Sequence, residues 1–171
     1  MVREALFSIL ASRIAGAVFV DLFAGSGAIG IEALSRGAGK VIFIDSNQGC
    51  GALIRENLKL LGASGRDALV LDIDLSRSAA QKALRGCLKL AGEAAADVVY
   101  ADPPYDYGDM ENLPRLISES CLCAPDGIFV FEHGKMRDAP QIAGAFEKYS
   151  ERQYGDSRLS FYKSASDIFM G

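Results

Sequence analysis

The feature that most constrains the fold is a regular alternation of short apolar runs with longer amphipathic stretches. The apolar runs occupy residues 17–23, 40–45, 68–71, 97–101 and 128–132. The stretches with helical periodicity occupy residues 2–12, 28–35, 48–61, 76–90 and, approximately, 111–121. An apolar run without polar alternation is typical of a strand that is buried on both faces, as in a parallel sheet with helical crossovers. The alternation therefore predicts a doubly wound α/β fold.

The end of the chain departs from this alternation. Residues 146–154 and 158–163 are both strand-like, and only the three residues 155–157, which begin with glycine, separate them. So short a connection predicts an antiparallel hairpin. We therefore predict one domain, residues 1–171, with a Rossmann-like, seven-stranded, mostly parallel sheet that ends in this hairpin. Ligands of such sheets bind beyond the carboxyl ends of the strands, where the strand order reverses.

Composition narrows the class of protein. No apolar run approaches the ~20 residues that cross a bilayer, and the charged start of the chain does not resemble a signal peptide, so we expect a cytoplasmic protein. The net charge of −4 argues against binding nucleic acid by bulk electrostatics alone. The four cysteines and one histidine lack the spacing of zinc ligands, so we predict no metal and expect the cysteines to be buried free thiols.

A glycine-rich loop follows the first predicted strand, with Gly25, Gly27 and Gly30 in a GxGxxG spacing. Glycine lets such a loop turn tightly and lets a ligand approach the backbone. The spacing alone does not separate a nicotinamide cofactor from S-adenosylmethionine, because Asp45, twenty residues after Gly25, suits the ribose of either. Asp21, just before the loop, favours the cationic S-adenosylmethionine over a pyrophosphate.

One further acid follows strand three. Asp74 is a candidate to accept a hydrogen bond from the adenine amino group, and Asp72 is the neighbouring alternative.

The most specific motif is Asp102-Pro103-Pro104-Tyr105, directly after the fourth strand. Two consecutive prolines stiffen the loop and remove two backbone donors, so the loop offers mainly hydrogen-bond acceptors. An exocyclic amino group of a nucleobase supplies two donors, which the Asp102 carboxylate and the Pro103 carbonyl can accept. Tyr105 offers a flat face on which a base can stack. The motif predicts methyl transfer to such an amino group.

The chain resembles the RsmD-type guanine-N2 methyltransferases of 16S ribosomal RNA, which are class I S-adenosylmethionine-dependent enzymes. The similarity lies in the opening helix at 3–7, the glycine loop and helix at 21–38, Asp45 with residues 57–58, the loop at 102–105 with Gly108, and the tail at 154–162. Members of that family carry a further basic N-terminal hairpin, whereas residue 1 of this chain lies at the start of the helix that follows it. The resemblance implies a monomer that acts on 16S ribosomal RNA or on a small-subunit assembly particle.

The resemblance also implies the residues of the site. The expected catalytic residues are Asp102, Pro103, Pro104 and Tyr105. The expected cofactor-binding residues are Asp21, Phe23, Ala24, Gly25, Ser26, Gly27, Asp45, Ser46, Asp74, Leu75 and Asp102. Other acceptors stay open, because a similar Pro-Pro loop also occurs in methyltransferases of adenine N6 and of protein glutamine, and a nicotinamide-dependent oxidoreductase is a further alternative.

Several other residues have weaker interpretations. Tyr107 is either a lid over the base or an ordinary loop aromatic. For Glu132 and His133, a supporting or solvated role is favoured over catalysis. Five basic residues could contact phosphate, but a solvated surface charge is the more common role of such residues: Arg3, Arg13, Arg36, Lys135 and Arg137.

Overall fold

A computed structural model describes residues 2–63 and 65–165. The helices are α1 Val2–Ile9, α2 Ala11–Ile14, α3 Ala28–Ser35, α4 Gln48–Leu60, α5 Ala80–Ala91 and α6 Leu113–Glu119. The strands are β1 Val18–Leu22, β2 Lys40–Asp45, β3 Ala68–Asp72, β4 Ala96–Ala101, β5 Cys123–Gly134, β6 Ile142–Ala143, β7 Phe146–Tyr154 and β8 Ser157–Ser164. Within the described residues, no helix is both long enough and apolar enough to cross a membrane.

All eight of these strands form one sheet in the order β3-β2-β1-β4-β5-β8-β7-β6. The first five in this order are parallel, and the last three pair antiparallel. The predicted doubly wound sheet with its closing hairpin is therefore confirmed. The two-residue strand β6 makes an eighth strand where seven were predicted, because two residues are too few to show a strand pattern in the sequence.

The core lies on both faces of the sheet, because successive side chains of a strand point to opposite sides. Phe19 of β1 packs on the face that α1 and α4 cover, and its ring centroid lies 6.3 Å from that of Phe7. Val20 and Leu22 face the other side, with α5 and α6. The central strands β1, β2 and β4, and residues 128–131 of β5, are therefore buried at consecutive positions, in agreement with their apolar runs.

Two predicted helices differ in their bounds. The opening helix is divided at Leu10, so that α1 and α2 replace one continuous helix over 2–12. The helix predicted over 76–90 begins only at Ala80. Asp74 explains the later start: its Oδ1 accepts hydrogen bonds from the amide (3.0 Å) and the hydroxyl (2.6 Å) of Ser76, which favours a turn there.

The expectation that the cysteines are buried is wrong for Cys121. Helix α6 ends at Glu119, and Cys121 lies in the following turn with a φ of 54° and an exposed side chain. Cys87 of α5 is buried as expected, whereas Cys50 and Cys123 are half-buried.

The register of the central strands determines where the functional loops lie. Leu22, the last residue of β1, pairs with Ala101, the last residue of β4, and also with Ile44 of β2. Ala101 in turn pairs with Phe131 of β5. The glycine loop and the Asp-Pro-Pro-Tyr loop therefore leave the sheet side by side, at the point where the strand order reverses.

Candidate active site

A cleft of about 490 Å³, called the main cleft below, opens at this reversal point. The predicted site residues that line it are Phe23, Gly25, Asp45, Ser46, Asp102, Pro103, Pro104 and Tyr105. Its other lining residues are Met110, Glu132, His133, Gly134, Arg137 and Ser157. The structure thus brings the glycine loop and the Asp-Pro-Pro-Tyr loop to one cavity.

A second cavity of about 270 Å³, called the side pocket below, adjoins the main cleft. The two share Phe23, Asp45, Ser46 and Pro104, so together they form one groove. The side pocket adds the apolar side chains of Ile44, Ile73, Leu75 and Tyr107, and the polar residues Asp74, Ser76 and Asp106, with Gly108. This combination of apolar walls and a few polar groups suits a flat, partly polar ring.

The three loop glycines serve different purposes. Gly25 has a φ of 56°, and a Cβ there would meet only the Phe23 carbonyl at 4.0 Å, so its backbone faces open space. A Cβ on Gly27 would lie 2.9 Å from Ile54, and one on Gly30 would overlap the Phe43 ring. Gly25 therefore permits a ligand to approach, while Gly27 and Gly30 permit α3 to pack closely on β2 and α4.

Asp21 lies beneath the loop and lines neither cavity. It is 1% exposed, and its Oδ2 accepts a hydrogen bond of 2.9 Å from the Gly30 amide. Burial raises the pKa of this carboxyl to about 7; the Gly30 bond opposes the shift, and the charges of Asp102 and Asp45 add to it. The structure gives Asp21 a supporting role, and its expected contact with a cationic cofactor stays a prediction.

Asp45 does line both cavities, and it also holds the loop. Its Oδ2 accepts a hydrogen bond of 2.8 Å from the Gly25 amide, and its Oδ1 accepts one of 2.8 Å from the Asn47 amide. Each carboxylate oxygen has a second lone pair, so Asp45 can still accept from a hydroxyl in the groove.

Of the two acids proposed for the adenine side, the side pocket contains Asp74 and not Asp72. Besides binding Ser76, Asp74 forms an ion pair of 3.0 Å with Arg77. The hydroxyl and amide of Ser76, and then Arg77, lower the pKa of this carboxyl, so it stays an ionised acceptor.

Three predicted cofactor residues lie in the loop but do not line either cavity. The Ala24 amide donates to the Ile44 carbonyl (3.0 Å), the Ser26 carbonyl accepts from Asn57 (3.4 Å), and the Gly27 amide donates to Ala24 (2.8 Å). These contacts shape the loop from within.

The Asp-Pro-Pro-Tyr loop keeps two acceptors available. The Pro104 carbonyl accepts from the Tyr107 amide (2.9 Å), and the Tyr105 carbonyl accepts from the Arg137 guanidinium (3.2 Å). Among the residues that the structure describes, none donates a hydrogen bond to the Pro103 carbonyl or to the Asp102 carboxylate. The loop therefore presents the pair of acceptors that an amino group requires.

Asp102 titrates near neutrality. Removal from bulk solvent within the cleft and, to a smaller extent, the nearby charge of Glu132 together raise the pKa of this carboxyl to about 7. A cation placed in the groove would favour the ionised form.

Tyr105 has a largely free ring, with 74% of the residue exposed. One edge of that ring lies against Gly134, where an added Cβ would approach to 3.3 Å. Gly134 was not singled out in the sequence, and neither was the support that Arg137 gives to the Tyr105 backbone. An exposed ring at the mouth of a cleft is suited to stacking on a nucleobase.

Tyr107 belongs to the side pocket and does not cover the main cleft. Its ring packs edge-on against Phe23, with centroids 5.1 Å apart, and its hydroxyl donates to the Leu75 carbonyl (3.1 Å). The residue therefore joins the Asp-Pro-Pro-Tyr loop to Phe23 and Leu75 in the side pocket.

His133 is buried, although its ring reaches the cleft wall. Its Nε2 lies 2.9 Å from the Ser160 hydroxyl, which donates to Glu151 (2.9 Å). Burial is the main cause that lowers the pKa of this imidazole. These contacts agree with the supporting role favoured from the sequence.

Comparison with known proteins places these features in a family. A family model described as conserved hypothetical protein 95 matches residues 1–163. The chain is 32% identical to the protein YlbH of Bacillus subtilis, over 95% of this chain and 84% of that protein. It is also 32% identical to the ribosomal RNA small subunit methyltransferase D of Haemophilus influenzae, over 82% of this chain and 68% of that one.

The fold is shared with solved structures as well. The protein YhhF of Escherichia coli superimposes with a TM-score of 0.78 at 28% identity, over 95% of this chain and 84% of that one. The fold predicted from the sequence is thereby confirmed as that of class I methyltransferases.

Proposed function

The chain belongs to the RsmD-type family, described as conserved hypothetical protein 95, and we propose that it transfers a methyl group from S-adenosylmethionine to the N2 amino group of a guanine in the 16S ribosomal RNA of the small subunit. The observation that carries the proposal is the meeting of two loops in one groove. The glycine loop and Asp45 form one end, and the unengaged acceptors of Asp102 and Pro103 form the other. The name of one relative, a ribosomal RNA small subunit methyltransferase, supports ribosomal RNA as the substrate.

The residues of the groove fit the cofactor. The side pocket suits adenine, with Phe23, Leu75 and Tyr107 as apolar walls and Asp74 as an acceptor. Asp45, at the junction of the two cavities, suits the ribose hydroxyls. The open backbone at Gly25 leaves room for the methionine part, next to Asp102. When bound, S-adenosylmethionine supplies an electrophilic methyl group on a sulfonium.

The protein's part in the reaction is to position and polarise the acceptor. The amino nitrogen of a base is a weak nucleophile, because its lone pair is delocalised into the ring. The Asp102 carboxylate and the Pro103 carbonyl each accept a hydrogen bond from one of its two N–H groups. These two bonds localise the lone pair on the nitrogen. Tyr105 holds the plane of the base, which must leave its stack to reach the cleft. Fixed acceptors of this kind lower the barrier without reorganising during the reaction.

The same loop could act on other amino groups, so the acceptor is tested directly. Transfer of tritiated methyl groups is measured to four substrates: small-subunit ribosomal RNA free of the modification, the assembled particle, DNA, and a protein with an exposed glutamine. We expect incorporation into the RNA or the particle, as N2-methylguanosine after digestion. N6-methyladenosine or methylglutamine as the product would overturn the proposed acceptor.

The mechanism is tested with Asp102→Ala. We expect turnover to be lost while the dissociation constant of S-adenosylmethionine, measured by calorimetry, changes less than about threefold. Wild-type turnover in this variant would contradict the role of Asp102. Calorimetry with NAD serves as the control, because an oxidoreductase would bind it and this groove should not.

A further inference from the structure

Glu132 lies beside Asp102 on the neighbouring strand. Phe131 of β5 pairs with Ala101, the last residue of β4, so Glu132 and Asp102 directly follow a paired position. Both side chains line the main cleft, together with Tyr105. The end of the groove at the Asp-Pro-Pro-Tyr loop, called the acceptor end below, therefore contains two carboxylates. The proposed reaction uses only that of Asp102.

Tyr100 holds the Glu132 carboxylate in a fixed orientation. The Tyr100 hydroxyl donates a hydrogen bond to Glu132 Oε2, and Tyr100 is only 2% exposed. Burial, and then the charge of Glu132, raise the pKa of this phenol, so it stays protonated and can donate to Glu132. A buried tyrosine that fixes one oxygen of a carboxylate leaves the other oxygen with a defined position.

In the part of the chain that the structure describes, that other oxygen has no hydrogen-bond donor. Within residues 2–63 and 65–165, no group hydrogen-bonds Glu132 Oε1, and no lysine or arginine forms an ion pair with Glu132. A carboxylate oxygen kept in a partly desolvated cleft without a donor from the protein costs free energy unless water or a ligand supplies one. The position therefore calls for an N–H group of the substrate, adjacent to the one that Asp102 engages.

The Watson–Crick edges of the bases differ at this point. In guanine, the ring nitrogen next to the amino group is N1–H, a donor. In adenine and cytosine, the ring nitrogen next to the amino group is an acceptor, which a carboxylate would repel. We propose that Glu132 selects guanine by accepting its N1–H, while Asp102 and Pro103 accept the hydrogens of the N2 amino group. This inference rests on the proposed function and goes beyond it, because it assigns the choice of base to one residue.

The test replaces the mapped target guanosine of small-subunit RNA with 2-aminopurine riboside. This analogue keeps the 2-amino group but has an acceptor at N1. We expect the wild-type protein to favour guanine in kcat/KM by on the order of 10²-fold or more, since a site built around a substrate donor discriminates strongly against its loss. In Glu132→Gln, the amide can donate to the N1 acceptor, so the preference should fall by at least about tenfold.

Two controls separate recognition from structure. Glu147→Gln makes the same change on β7, away from both cavities, and should keep the wild-type preference. Tyr100→Phe keeps the carboxylate and should lower kcat/KM for guanine while retaining the preference for it. Asp102 is common to both substrates, so any change in its pKa cancels in the ratio. Thermal unfolding and cofactor affinity check that Glu132→Gln is folded.

The outcomes are distinct. If the wild-type protein methylates no guanine, the proposed function fails. If the wild-type protein methylates guanine and Glu132→Gln keeps the full preference over 2-aminopurine, the role of Glu132 is overturned and the proposed function stands. A fall in the ratio confined to Glu132→Gln supports the inference.

Discussion

The two ends of the groove use their carboxylates in opposite ways. The end proposed for the cofactor, next to the glycine loop, is called the cofactor end below. Each of its three carboxylates accepts a hydrogen bond from a backbone amide: Asp21 from Gly30, Asp45 from Gly25 and Asp74 from Ser76. At the acceptor end, Asp102 accepts no hydrogen bond from the described residues, and Glu132 accepts one, on a single oxygen. The first set shapes the protein before any ligand arrives. The second set keeps its hydrogen-bonding capacity for the substrate.

This difference follows from what each end must do. A cofactor bound in every cycle is served by a loop whose shape is already fixed, because less conformational entropy is lost on binding. An amino group to be activated needs acceptors that are not already occupied. The acceptor end therefore retains partly desolvated carboxylates. The raised pKa of Asp102 means that ionising this carboxyl costs free energy in the unliganded protein.

The largest effect is expected when equivalent substitutions are made at the two ends. Asp102→Asn should lower kcat by on the order of 10³-fold, the range for losing one preorganised transition-state contact, with little change in cofactor affinity. Asp45→Asn should instead weaken cofactor binding by at least about tenfold, and kcat at saturating cofactor should stay within about tenfold of the wild type. Single-turnover kinetics and calorimetry measure the two quantities. If both substitutions changed the same quantity, the division between the two ends would be wrong.

A second, smaller effect concerns Asp21, whose buried carboxyl has its pKa raised from about 3.8 to about 7. Between these values the folded protein holds a proton that the unfolded chain has lost, so the free energy of unfolding falls as pH rises from 4 to 7. The fall from this group is about 2–4 kcal/mol, at 1.36 kcal/mol per unit. Asp21→Asn can still accept the Gly30 amide and should lose this part of the pH dependence.

Urea unfolding at pH 5 and pH 8 measures the effect. We expect the stability of Asp21→Asn relative to the wild type to be greater at pH 8 than at pH 5, by about 3 kcal/mol, because the wild type loses stability as pH rises through this interval. Equal destabilisation at both pH values would mean that the geometry of the Gly30 bond matters and the charge does not. We also expect weaker binding of S-adenosylmethionine, because the substitution removes a negative charge beneath the loop that holds a cation.

The cofactor end was more predictable from the sequence than the acceptor end. The residues from Asp21 to Gly30 are contiguous, and Asp45 is the last residue of the adjacent strand β2, at a spacing set by one crossover helix. The doubly wound sheet could be predicted from the alternation, because parallel crossovers allow few arrangements. Local sequence also singled out Asp102 and Tyr105, which line the main cleft.

What the sequence did not provide is the register between β4 and β5. Only the pairing of Ala101 with Phe131 brings Glu132 beside Asp102, and a shift of one residue would turn Glu132 to the other face. The same holds for Gly134 and Arg137, which meet Tyr105 from about thirty residues away. A run of apolar residues such as 128–131 carries no signal of register, so these contacts required the structure.

The smallest effect is expected at Tyr107, where the two ends meet. Its hydroxyl binds the Leu75 carbonyl at the side pocket, while its backbone amide binds the Pro104 carbonyl of the Asp-Pro-Pro-Tyr loop. Tyr107→Phe removes only the first bond, and such a bond contributes about 0.5–1.5 kcal/mol. If the residue couples the two ends, the loss should appear in both cofactor affinity and kcat, each by about two- to fivefold. A change in cofactor affinity alone would show that the two ends act independently, and the ring contact with Phe23 would then serve only the side pocket.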